Sequence, residues 1–188
     1  MKQIISLIIF LLVSQTNFSQ NISVEKSIYN IQSGVLGIWI NNETKITNTI
    51  ALKTEIGLDA GVFGGEIHGE NSGLFLAPVI NIEPRWYYNI NQRNLKNKNT
   101  ANNSANFLTT TLSYHPDWFV IGQSNTLNVH NQLSINPKWG IRRNIGKSNF
   151  NYEVGFGVGY KITFQKQYGY EDSKDVIYDL HLRVGYKL

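Results

Sequence analysis

Between Phe150 and Gln165 the chain alternates strictly. Phe150, Tyr152, Val154, Phe156, Val158, Tyr160, Ile162 and Phe164 hold one parity, and Asn151, Glu153, Gly155, Gly157, Gly159, Lys161, Thr163 and Gln165 hold the other. Successive side chains of a β-strand point to opposite faces, so this pattern gives one apolar face and one polar face. A helix would smear both sets around its circumference. The same phase returns at the end of the chain, where Val176, Tyr178, Leu180, Leu182, Val184, Tyr186 and Leu188 oppose Ile177, Asp179, His181, Arg183, Gly185 and Lys187. It also runs from Ile50 (Ile50, Leu52, Ile56, Leu58, Ala60 and Val62 against Ala51, Lys53, Glu55, Gly57, Asp59 and Gly61). Ile80, Ile82, Trp86 and Tyr88 oppose Asn81, Glu83, Arg85 and Asn89. Leu133, Ile135, Trp139 and Ile141 oppose Gln132, Lys138 and Arg142. Weaker segments at Gly34–Asn42 and Ala105–His115 fit the same pattern.

Two all-β architectures produce such strands. A soluble sandwich keeps its apolar face in a core and its polar face in water. A transmembrane barrel turns its apolar parity to lipid and its polar parity to the lumen. Length favours the barrel, because sandwich strands are usually about five to six residues and these run longer, as a tilted membrane-crossing strand must. So does the polar parity. It is rich in glycine and in charges of both signs: Lys53, Glu55, Asp59, Glu83, Arg85, Glu153, Lys161, Asp179 and Arg183 are expected to form a paired charge network inside the lumen. The predicted fold is an antiparallel up-and-down transmembrane β-barrel.

The N-terminus reads as an address. Met1-Lys2-Gln3 carries one positive charge, Ile4–Val13 is a short apolar run, and Ser14-Gln15-Thr16-Asn17 follows. Such a run is too short for a spanning helix, which needs about 20 residues, and it has the plan of a secretory signal peptide. Residues 1–19 are expected to be removed near Ser19 or Gln20, leaving 20–188 as the barrel. Cysteine is absent, which excludes disulfides, thiolate catalysis, cysteine-ligated zinc, iron–sulfur clusters and an acylated-cysteine anchor. Charged residues make up only 16% of the chain, against about 25% in ordinary globular domains.

Connections fall into two alternating groups. Asn41–Thr47, Asn91–Ser104 and Arg143–Ser148 form the first, and Gly64–Gly73, Pro116–Asn125 and Lys166–Asp175 the second. Barrels of this kind have short periplasmic turns and longer outer loops, so the first group and the C-terminus are expected in the periplasm. Trp39, Trp86, Tyr88 and Trp139 precede first-group turns and are expected to form an interfacial aromatic belt. Lys45, Arg93, Lys96, Lys98, Arg143 and Lys147 crowd that end. Basic residues otherwise alternate into the lumen, which argues against the exposed basic stripe of a nucleic-acid binder. Strands are predicted near 34–42, 46–63, 74–91, 104–115, 125–142, 149–166 and 175–188. An even total of eight requires one more at Asn21–Gln32, with Ile22, Val24 and Ile28 on the apolar parity. The alternative is seven strands and a plugging N-terminal segment.

Ile82-Glu83-Pro84-Arg85-Trp86-Tyr87-Tyr88-Asn89, Trp139-Gly140-Ile141-Arg142-Arg143-Asn144-Ile145-Gly146 and Glu55-Ile56-Gly57-Leu58-Asp59-Ala60-Gly61 resemble small outer-membrane β-barrel proteins of Bacteroidota type. The closing strand Leu182–Leu188 resembles the C-terminal insertion signal of such barrels, with Leu where Phe or Trp is commonest. The architecture is similar to barrels of the OmpA and OmpX type. The resemblance implies fold and location and transfers no catalytic residue. The partners it implies are outer-membrane lipids, lipopolysaccharide and the barrel-insertion machinery.

Chemistry is sparse. Ser113 and His115 share one strand face and are the best hydrolase candidates. Outer-membrane lipid A deacylases use a Ser, a His and an acidic residue, but with the His-x-Ser order reversed from this one and on the lipid face. Asp59, Glu83 and Glu153 are expected to neutralise basic neighbours rather than hold a metal, and Gly155-Gly157-Gly159 is mid-strand with no helix after it, unlike a phosphate loop. No cofactor is expected. The reading is a barrel with a side-chain-filled lumen and a structural or surface-interaction role. A lipid-modifying enzyme and a small-solute pore are the alternatives.

Overall fold

A computed structural model describes residues 23–65, 70–122, 129–166 and 169–188. The expected signal peptide and parts of all three second-group loops lie outside the described residues. The strands are β1 (Ser27–Gly34), β2 (Gly37–Lys45), β3 (Ile50–Gly65), β4 (Glu70–Trp86), β5 (Asn106–His115), the two-residue β6 (Ile121–Gly122), β7 (Gln132–Asn144), β8 (Phe150–Thr163) and β9 (Ser173–Lys187). Each long strand pairs antiparallel with its neighbours in sequence, and β1 pairs with β9. The result is a closed, eight-stranded up-and-down barrel, with β6 extending the β5 position along β4. Closure leaves no exposed sheet edge where all strands are paired.

The two faces of the wall are chemically inverted relative to a soluble protein. Inside, Asn30, Gln32, Glu43, Lys53, Glu83, Arg85, Arg142 and Glu153 are fully buried. Outside, Ile40, Ile56, Leu112, Ile135, Phe156 and Leu180 are exposed, Phe156 by 54% and Leu180 by 59%. The period-two pattern therefore puts its apolar parity on the outer surface.

The first strand is real, but its phase is opposite to expectation. Tyr29 and Ile31 point outward, while Ile28, Asn30 and Gln32 point in. The strand begins at Ser27, so Val24 precedes it, and Ile22 lies outside the described residues. The hairpin to β2 turns on Val35–Leu36, with Gly34 opposite Gly37. Gly37 adopts φ 143°, and a Cβ there would strike the Leu58 carbonyl. Glycine is required at this corner.

Every connection of the first group lies at the end that carries both described termini, the near end. The second group gathers at the far end. Length does not sort them. The connection 87–105 at the near end contains a helix, α1 (Ile90–Leu95), and a 3₁₀ turn at Ala101–Asn103, while the far end holds the two-residue Val35–Leu36 turn. The long connection folds into the near-end mouth. Val24, Ala51, Tyr87, Ile90, Ala105 and Phe107 form an apolar cluster there, with the Tyr87 and Phe107 rings edge-to-face at 5.8 Å. Asn97, Asn102 and Asn103 take left-handed conformations (φ 52–55°), which asparagine tolerates better than most residues.

Candidate functional site: the charged lumen and its far-end vestibule

The lumen is polar because alternate residues of every strand must point into it. Those that are charged and fully buried are paired. Arg85 on β4 lies between two carboxylates. Its Nε donates to Glu83 at 2.8 Å, and its two terminal nitrogens donate to Glu153 at 2.9 and 3.1 Å. The Arg85 guanidinium also sits 4.4 Å from the Phe107 ring centre, so the network rests on the near-end apolar cluster. Arg142 donates to Glu43 at 2.6 Å and lies 3.5 Å from Glu153. His181 Nε2 meets Glu153 at 2.8 Å. Lys53 contacts Glu55 at 2.6 Å, and Arg183 grips both oxygens of Glu55 at 2.7 and 2.8 Å. Lys138 bridges Glu83 at 3.3 Å and Asp179 at 3.1 Å.

Together the carboxylates Glu43, Glu55, Asp59, Glu83, Glu153 and Asp179 face the basic side chains Lys53, Arg85, Lys138, Arg142 and Arg183. Within this ion-paired cluster that is one carboxylate more than these basic side chains, among the described residues. Charges removed from water must be paired to be tolerated, each otherwise costing several kcal/mol. The buried ones satisfy this condition.

Of the expected network residues, Lys53, Glu55, Glu83, Arg85, Glu153, Asp179 and Arg183 lie in this cluster, with Asp59 at its outer edge. Lys161 does not join it: it is half-buried, opposite Asp175 in the register, and makes no ion pair among the described residues. Sequence reasoning missed Glu43, Lys138 and Arg142 as partners. Glu43 falls past the expected end of its strand, because β2 continues to Lys45.

Trp39 does not join the aromatic belt. It was expected there, but it points into the lumen and is only 3% exposed. Its Nε1 donates to Asp59 at 2.7 Å, and Arg183 stacks on its ring at 3.5 Å from the centre. Gly57, its cross-strand partner, leaves the room: a Cβ there would collide with the Trp39 ring. Trp86, Tyr88 and Trp139 are on the outer surface at the near end, where Trp139 Nε1 donates to the Tyr88 hydroxyl at 2.9 Å.

Toward the far end the lumen opens into a vestibule of about 180 Å³, whose lining includes Asp59, Asn81, Ser113, His115, Ser134 and Asp179. Ser113 and His115 both point into it. They form no hydrogen bond with each other. His115 Nε2 instead meets Asp59 Oδ2 at 2.9 Å. A base must reach its nucleophile to activate it, and here the imidazole faces a carboxylate across the lumen. No group of three or more His, Cys, Asp or Glu side chains among the described residues is placed to hold a metal ion. Compared with protein-family models, curated proteins and solved structures, the chain matches none.

Proposed function

We propose that this chain is an integral outer-membrane β-barrel whose role is structural or one of surface interaction. The observation that carries this reading is the inversion of the wall: buried Arg, Lys and Glu inside, exposed Ile, Leu, Val and Phe outside. In water that arrangement would be costly on both faces, whereas in a bilayer it meets lipid with hydrocarbon and keeps charge enclosed. Trp86, Tyr88 and Trp139 would then mark the headgroup level at the near end. Residues 1–19 act as the export signal, and the C-terminus faces the periplasm. The far-end loops face outward and meet lipopolysaccharide or protein partners.

Eight strands leave an interior just wide enough for side chains to fill. The ion pairs at mid-height and the apolar cluster at the near end therefore oppose free diffusion, and the small-solute pore is the weaker alternative. Ser113 makes no hydrogen bond to His115, so the deacylase reading lacks its nucleophile–base contact. The test is refolding into detergent or vesicles. The unboiled protein should migrate faster on a denaturing gel than the boiled protein and should partition with the outer membrane. A mature chain that folds and stays soluble without surfactant refutes the reading. Conductance comparable to that of a large porin would refute the filled lumen.

A further inference from the structure

The β1–β2 hairpin is shorter than the walls beside it. Its last pairs are Gly34 with Arg183 on β9 and Gly37 with Asp59 on β3. Beyond those points β3 continues to Gly65, paired only with β4, and Ser173–Leu182 of β9 is paired only with β8. Two strand edges thus stand over the Val35–Leu36 turn with no described strand between them. The Ala60 N–H donates to the Leu36 carbonyl at the sill, at 2.7 Å.

A cavity of about 250 Å³ occupies this notch, and its lining includes five consecutive residues of β9, Asp179–Arg183. Consecutive strand residues alternate between faces. Asp179, His181 and Arg183 reach the cavity from the lumen, and Leu180 and Leu182 reach it from the outer surface. The cavity is therefore lined by residues of both parities, in the gap between the two unpaired strand edges. The outer surface beside it is still apolar: Leu182, Leu180, Tyr178 and Val176 are exposed along β9, as are Val35 and Leu36 at the sill. The notch therefore lies within the apolar band rather than above it. On its lumenal side stand the two least buried carboxylates of the network, Asp59 on β3 and Asp179 on β9, with side-chain exposures of 33% and 27%. Among the described residues Asp59 has His115 as its ionic partner and also accepts from Trp39 Nε1 at 2.7 Å, while Asp179 meets Lys138 at 3.1 Å and accepts from Asn136 at 3.0 Å.

We propose that this notch seats a membrane amphiphile with an ammonium head. The head lies between Asp59 and Asp179, and the chain leaves over Leu36, Leu180 and Leu182 into the hydrocarbon. The site rests on the membrane reading above, and its test separates the two. The full mature chain is refolded into phosphatidylcholine nanodiscs, and heat-modifiable migration is verified first; failure at that step counts against the membrane reading alone. Dodecylammonium, propylammonium and dodecyl sulfate are then titrated against the amide NMR shifts of Leu36, Ala60 and Leu182.

Dodecylammonium should shift these amides saturably, at least tenfold more tightly than propylammonium, and dodecyl sulfate should not. Asp59→Asn combined with Asp179→Asn should weaken dodecylammonium at least tenfold. If that variant does not fold, Leu36→Asp at the exposed sill serves instead and should abolish the advantage of the long chain. The proposal is overturned by any of four results in a folded barrel: no saturable shift, equal affinity for long and short amines, equal affinity for the sulfate, or affinity unchanged by the substitutions.

Discussion

Replacing Arg85 by Met tests whether the lumen is a desolvated network or a watery one. Methionine keeps much of the length and apolar stem but removes the guanidinium. The ion-paired cluster then changes from five basic side chains to four, against the same six carboxylates. Glu83 keeps Lys138 at 3.3 Å, and Glu153 keeps His181 at 2.8 Å and Arg142 at 3.5 Å. Removing one partner of a buried pair costs about 3–5 kcal/mol. Because both stranded carboxylates retain a second partner, the expected loss is at the lower end, about 3 kcal/mol. At a urea dependence of about 1–3 kcal/mol per molar, the unfolding midpoint should fall by about 1–3 M. The assay is urea unfolding of the vesicle-inserted barrel, followed by tryptophan fluorescence and by gel migration. Arg85→Met combined with Glu153→Gln should recover part of the loss, with a coupling of about 1 kcal/mol, as neighbours in one network do. A single-variant effect within about 0.5 kcal/mol of zero, the range of ordinary surface changes, would show that water screens these charges and that the network is not enclosed.

Other perturbations probe separate parts of the fold. Ile135→Arg places a charge on the outer face of β7 and should cost about 2–4 kcal/mol in vesicles, read as a lowered urea midpoint; a neutral result would mean that this face does not meet lipid. Gly140→Ala should cost about 1–3 kcal/mol, because its Cβ would strike the buried Phe107 ring, and the near-ultraviolet circular dichroism should change with it. The half-buried Asp172 carboxyl is held below the ordinary range, chiefly by the backbone N–H of Gln165 and also by that of Lys166. A carboxylate with a lowered folded-state pKa stabilises its loop above the unfolded value, near 3.9, and loses that effect as pH falls through the folded value. Amide exchange at Gln165 and Lys166 should therefore accelerate, relative to Asp172→Asn, only below about pH 4.

How much of this could be read from the residues depends on contrast between the two parities. In β8 the contrast is complete, and its faces follow directly. In Ile38-Trp39-Ile40 it vanishes: three apolar residues in a row carry no phase. The inward turn of Trp39 is set by its strand partners, with room over Gly57, an acceptor at Asp59 and a cation at Arg183. The first strand was misphased for a related reason. Its inward residues include Ile28 near the apolar near-end cluster, while outward Tyr29 alternates with polar neighbours. The pairing of Arg85 with Glu153 and of Arg183 with Glu55 joins residues far apart in sequence. Their presence on the polar parity was legible, but the choice of partner follows from register and barrel closure. The notch was not legible at all, since it arises from a difference in height between neighbouring strands.

The apolar cluster of Tyr87, Ile90 and Phe107 gives the barrel a floor. A vessel closed below exchanges its contents only across its rim or through its flank. Under the membrane reading proposed above, an occupant of the lumen would arrive and leave on the far-end side of that floor.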